Sequence, residues 1–225
     1  MRQLGTRRTV GKAPEDAVRR ASLRATGSVL VALLVLLPAA ASADAFTLPE
    51  NGEVVRYQRV LGEIEHADPG PEVILYADGR VLVRRPEYMR GPGAWQARLA
   101  PAALEEIVGD LVASGLVDAD VDALRARRHD LERLRAEAAA RDGSAVIYAV
   151  GDPDRSVVTL RLAAYTPFGD LGGASLGPVE RTWEWSDLYG DATRFPEIRE
   201  LAALHRLELR LIGWIDAQDL EAVNQ

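Results

Sequence analysis

The sequence predicts an α+β fold, an antiparallel sheet of hairpins with two or three helices packed on one face. Three observations carry this expectation. Glu72-Val-Ile-Leu-Tyr and Arg80-Val-Leu-Val-Arg-Arg are β-rich runs joined across Asp78-Gly79, a pair that tolerates the positive φ of a two-residue hairpin turn. Leu104, Ile107, Val108, Leu111 and Val112 recur at helical spacing. Hairpins, then helices, then further strands and a last helix give the order of an α+β domain rather than of alternating βα units.

The elements follow in chain order. Glu53 to Ile64 reads as a strand bent at Gly62, and Pro69-Gly70-Pro71 connects it to the hairpin strands at 72–77 and 80–85. Pro86 to Ala94, rich in Pro and Gly, reads as a loop. Pro101 suits the first turn of a helix, and Gly115 a left-handed stop with Leu116 folding back. A second helix runs from near Asp118 or Asp120 to about Arg141. Its apolar stripe is Val121, Leu124, Leu131, Leu134 and Ala138, with the other faces turned to water. Strands are expected at 145–150 and 156–163, joined by the turn Gly151-Asp152-Pro153-Asp154, and at 179–185 after a Gly-rich loop at 166–177. A helix from about Pro196 to Ile215 ends the chain.

The first 43 residues read as targeting. Arg19, Arg20 and Arg24 precede an apolar run from Val29 to Leu37, then Pro38 and a string of small residues ending Ala41-Ser42-Ala43. This is the order of a cleaved secretory signal, and the run is short of the roughly 20 residues of a membrane anchor. Arg7-Arg8 and Arg19-Arg20 leave a twin-arginine route open beside the general one. The expected location is periplasmic or secreted. Residues 44–225 then form a single domain, 182 of 225 residues, long enough to bury about 70% of its unfolded surface.

Seven of the 27 Lys plus Arg and two of the 34 Asp plus Glu lie in the leader, so the mature domain holds 20 cations and 32 acids, a net charge of −12. Such a domain repels nucleic acid and anionic membranes. There is no cysteine, and the one lysine is Lys12 in the leader. Thiolate chemistry, Schiff bases and lipid attachment to cysteine are therefore excluded.

The Asp78-Gly79 hairpin, then Leu99-Ala100-Pro101-Ala102-Ala103-Leu104-Glu105-Glu106-Ile107, then Gly115-Leu116, resembles a pattern of uncharacterised bacterial secreted proteins and lipoproteins. It covers roughly residues 72–120. The resemblance implies an envelope protein without assigning a chemistry, and the lipobox cysteine of many such proteins is absent here.

Arg84, Arg85, Tyr88, Arg90 and Trp95 form the leading candidate binding site. Arginines and aromatics gather there at the end of a hairpin in a strongly acidic chain, and these residue types dominate protein interfaces and grip anionic groups. The expected function is a non-enzymatic exported domain that binds a protein partner or an anionic small ligand, with no cofactor and no metal. Its rivals are a small serine hydrolase and a carbohydrate-binding domain. Gly173-Ala-Ser175-Leu-Gly177 matches a nucleophile elbow, with Asp187 or Asp191 and His205 downstream, but Pro178 and a strand follow where that motif needs a helix. Trp183 and Trp185 share one strand face, which suits either a sugar platform or the core. Asp118, Asp120 and Asp122 alternate as in a calcium loop, although Ala123 and His129 stand where that loop needs glycine and a carboxylate, and helix capping explains them as well. His66 and His129 lie among acids and arginines without metal-ligand spacing.

Overall fold

A computed structural model describes residues 45–62, 69–144, 153–167 and 175–223. All of them fall within one compact unit, Ala39–Gln225. The fold is α+β, and both of its sheets are antiparallel. Strand β1 (Phe46–Thr47) pairs with β7 (Ala164–Tyr165). The main sheet joins β2 (Glu53–Val60), β3 (Glu72–Tyr76), β4 (Arg80–Arg85), β5 (Gly93–Arg98), β6 (Arg155–Leu162), β8 (Val179–Ser186) and β9 (Glu221–Ala222). Their spatial order is β8-β6-β2-β3-β4-β5-β9.

Side chains of a strand alternate between faces, and here the two faces differ in kind. Val55 and Tyr57 of β2, Val73 and Leu75 of β3, Val81 and Val83 of β4, and Val158 and Leu160 of β6 are all buried on the helix-covered face. The opposite face is laced by charge. Arg56 pairs with Glu53 and Glu72, Arg84 with Glu72, Arg161 with Glu53 and Glu180, and Arg155 with Glu184. The Arg56 guanidinium, hydrogen-bonded to Glu53, holds that carboxyl below its usual range, with Arg161 adding to the effect and partial burial opposing it. An antiparallel sheet so built can show one face to water.

The hairpin forms as read. Gly79 has φ +79°, and a Cβ there would meet the Leu99 carbonyl oxygen at 2.5 Å, so this turn excludes any side chain at that position. Helix α1 (Pro101–Ala113) starts at its proline and ends before Gly115, whose φ is +76°. Leu116 follows in a 3-10 turn, Leu116–Asp118, and is fully buried. Helix α4 (Arg199–Asp216) buries Leu201, Leu204, Leu207, Leu211 and Ile215 at helical spacing and lies over β3 and β4, with α1 beside it. Each such side chain contributes about 1.5–3 kcal/mol by leaving water.

Several boundaries differ from the sequence reading. The first long strand stops at Val60, and residues 63–68 lie outside the described ones. The Pro/Gly segment 86–94 is not loop throughout, because β5 begins at Gly93 and pairs along β4. Pro196 does not open the final helix. A short helix, α3 (Leu188–Arg194), comes first, and α4 starts at Arg199. The strand expected at 145–150, and most of the Gly-rich loop near 170, lie outside the described residues. Helix α2 (Val121–Arg141) has the expected bounds with Asp120 as its cap, but Leu124 is its single buried residue, and Leu134 is 51% exposed.

Candidate functional site

Arg84 and Arg85 are neighbours on β4, so the alternation of a strand sends them to opposite faces. Arg84 lies on the charged face, where its Nη1 donates to Glu72 Oε2 at 2.9 Å. Arg56 donates to the other oxygen of Glu72 at 2.8 Å, beside a cleft of about 410 Å³. The carboxylate is buried and takes one donor from each guanidinium.

Arg85 lies on the helix-covered face. Its Nε donates to the Ile215 carbonyl at 2.8 Å, and its Nη2 donates to the Ala217 carbonyl. These oxygens sit at the C-terminal end of α4, where carbonyls lack helical partners and the dipole favours a cation. The same guanidinium stacks 5.2 Å from the Trp95 ring centre, and Trp95 Nε1 donates to the Gly91 carbonyl at 3.0 Å. Arg85 and Trp95 are thus clamped into the fold.

What remains of the expected cluster is the loop between β4 and β5. Met89 packs against the core and its amide donates to the Pro86 carbonyl at 3.0 Å. Tyr88, 45% exposed, and Arg90 stand on the outside of this braced turn. The five residues are therefore two structural clamps (Arg85 and Trp95), one ion-paired arginine on the far face, and an exposed pair.

Ser175 is exposed and donates to the Leu176 carbonyl at 3.4 Å, next to an isolated bridge between Leu176 and Tyr165. No helix follows it before β8, whereas His205 is hydrogen-bonded within α4, so the bonds of the two lead to different places. Gly173 and Ala174 lie outside the described residues. Trp183 and Trp185 do share a face, and it is the buried one; Trp185 Nε1 donates to Asp191 Oδ2 at 3.0 Å. Asp120 accepts from the amides of Asp122 and Ala123, Asp122 pairs with Arg125, and Asp118 accepts from the Tyr165 hydroxyl at 2.7 Å. These acids cap and tie elements, and among the described residues no group of three or more histidines and acids is arranged to hold a metal ion. His129 is exposed beside Glu132, while His66 lies outside the described residues.

Two polar groupings were not foreseen. The first is a cleft of about 350 Å³ between α2, the end of β8 and α3. At its floor Asp191, 4% exposed, accepts from Trp185, from Arg128 at 3.2 Å and from Arg194 at 2.6 Å. Asp187 caps α3 with a left-handed backbone, φ 53°, and also accepts from Arg194. Arg128 and Arg194 pair with Asp187 and Asp191 within the cleft. Glu184, at the rim, turns its carboxylate to Arg155 on the other face. The arrangement joins α2 to α3.

The second is a buried carboxylate between the sheet and α4. Glu208, 7% exposed, accepts from the Tyr57 hydroxyl at 3.3 Å and from the Ser156 hydroxyl through Oε1, while its Oε2 lies 3.0 Å from His205 Nδ1. The Tyr189 ring stands 5.4 Å from that of His205. Burial first, and the nearby Glu208 charge second, push the Tyr57 phenol well above its ordinary 10.0. A raised phenol contributes its stability fully below pH 10.0 and loses it as pH rises toward the folded value. Stability should therefore fall by about 1.4 kcal/mol per pH unit above 10. Urea unfolding at successive alkaline pH values should show that slope in the wild type and a flatter one in Tyr57→Phe; equal slopes would remove Tyr57 from the account.

Glu208 could have been suspected from sequence, because it is an acid at an apolar position of the stripe that runs Leu204, Leu207, Leu211. No protein family model, no curated protein and no solved structure matches this chain.

Proposed function

We propose that the chain is an exported, non-enzymatic domain that binds a partner protein through the 86–92 loop, with Tyr88 and Arg90 as the principal contacts. One observation carries this reading. The loop is held at three points, by Met89 in the core, by Trp95 on the Gly91 carbonyl and by Arg85 over the Trp95 ring, and yet it exposes a tyrosine and an arginine at its outer side. A loop already fixed loses little conformational freedom on binding, and Tyr and Arg supply a disproportionate share of interface energy. Arg90 offers a fork of donors to a carboxylate of the partner. Export rests on the leader alone, whose charged, apolar and small-residue order is that of a secretory signal.

The test is quantitative co-purification from the native envelope followed by mass spectrometry. Tyr88→Ala with Arg90→Glu should lose the partner by about thirtyfold or more in a variant whose cooperative unfolding shows that it still folds. Undiminished capture by a stably folded double variant would overturn the proposal.

A further inference from the structure

Helix α2 is attached in an unusual way. It is 21 residues long and fully buries only Leu124, with Val121 and Leu131 partly buried against the core, so its apolar contact lies in its first half. Arginines supply the other attachments. Arg127 donates to the Glu197 carbonyl at 2.7 Å and lies 3.9 Å from Glu200. Arg135 donates to the Arg194 carbonyl and, at 2.7 Å, to the Glu197 carboxylate. Beneath them Phe195 is 3% exposed, and its ring is covered by the guanidinium groups of Arg128 and Arg135, 5.5 and 4.9 Å from its centre. Guanidinium is flat and weakly hydrated, so it can lie on an aromatic face where an ammonium would not.

The attachments differ in their access to water. Arg128 and Asp191 are shielded, at 20% and 5% side-chain exposure. Arg127, Arg135 and Glu197 are about half exposed. Dissolved ions reach exposed pairs and screen them, and reach shielded ones far less. The helix also carries its own support, with Asp120 at its cap, Arg128 on Glu132, and Arg133 between Asp130 and Glu137.

We propose that α2 is an ion-sensitive strap. It stays anchored near Leu124 and through Arg128 on Asp191, and its later turns lift from the α3–α4 connection as ionic strength rises, uncovering the side of the Phe195 ring that Arg135 covers. The strap moves as a helix, because its cap and the pairs of Arg133 with Asp130 and Glu137 do not involve the surface it leaves. Phe195 is the apolar feature thereby presented or withdrawn.

The chain has no cysteine, so two introduced ones can be spin-labelled uniquely. Ala102→Cys on α1 and Ala136→Cys on α2 are both exposed sites. Distances between the labels should be single and narrow at about 20 mM salt, with a second, longer population growing severalfold by about 1 M. Adding Arg127→Ala and Arg135→Ala should give the longer population already at low salt. Arg133→Ala, which loses only pairs within the helix, should not. Superimposable distributions at both salt concentrations would overturn the strap. So would a loss of helical circular dichroism in step with the longer distance, since α2 would then be melting and not undocking.

Discussion

Replacing Glu208 by alanine is expected to lower the free energy of unfolding by about 3–5 kcal/mol. The residue joins β2, β6 and α4 at one point. Removing its carboxylate strands the Tyr57 and Ser156 hydroxyls without their acceptor in a dry interior, and deprives His205 of its partner. Each abandoned polar group costs about 1–3 kcal/mol. Glu208→Gln keeps an oxygen for the two hydroxyls and should cost only about 1–2 kcal/mol. Glu208→Leu fills the space but leaves the hydroxyls unsatisfied, and should resemble alanine. Urea midpoints, at unchanged slope, measure the series. Equal losses for glutamine and alanine would mean that the carboxylate's charge, and not an oxygen offered to the two hydroxyls, sets the value of this position, and a leucine variant near wild type would mean that volume does.

Replacing Arg85 by alanine is expected to cost about 2–3 kcal/mol, which for a domain of this length lowers the thermal midpoint by roughly 4–12 °C. The guanidinium closes the open end of α4 through two carbonyls and lies on the Trp95 ring. Lysine can bring one compact charge to a single carbonyl, so Arg85→Lys should recover less than half of the loss. Calorimetry gives the midpoints. A midpoint within about 1 °C of wild type would show that water replaces the arginine at the helix end without penalty. Arg85→Ala should also weaken partner capture by loosening the 86–92 loop, whereas Tyr88 and Arg90 variants do so with the Arg85 brace intact. That contrast separates bracing from contact.

The elements legible in the sequence were those decided by neighbours in the chain. The Asp78-Gly79 hairpin, the proline at the start of α1, Gly115 at its end and the Asp120 cap are local signals, and each appears where it was read. Strand β5 was hidden because Gly93-Ala-Trp-Gln-Ala-Arg98 has little β preference of its own and is set by the register of β4. Helix α3 is only seven residues long and starts from a left-handed aspartate, so no periodicity could announce it. The stripe on α2 had the spacing of a core face, yet only its first half, Val121, Leu124 and Leu131, meets the core, and Leu134 stays exposed where arginine contacts hold the helix.

The candidate site was legible in part. Grouping Arg84 with Arg85 ignored a rule that the hairpin itself imposes, since consecutive strand residues cannot share a face. Tyr88 and Arg90 are exposed on the loop. The Arg85 contact with α4 spans 130 residues or more of chain, and no short-range pattern contains it.

The Glu208 junction also sets an order of events. Tyr57 and Glu208 are 151 residues apart, β1 finds its partner only at Tyr165, and the central strand β2 is flanked on one side by β6, about a hundred positions later. A topology so dominated by distant pairings closes large loops before it gains contacts, and such domains fold in milliseconds to seconds rather than microseconds. The first half of the chain is thus committed to wait. β2 gains its second neighbour only when β6, Arg155–Leu162, arrives, and the helix that carries Glu208 only with the last fifth of the polypeptide.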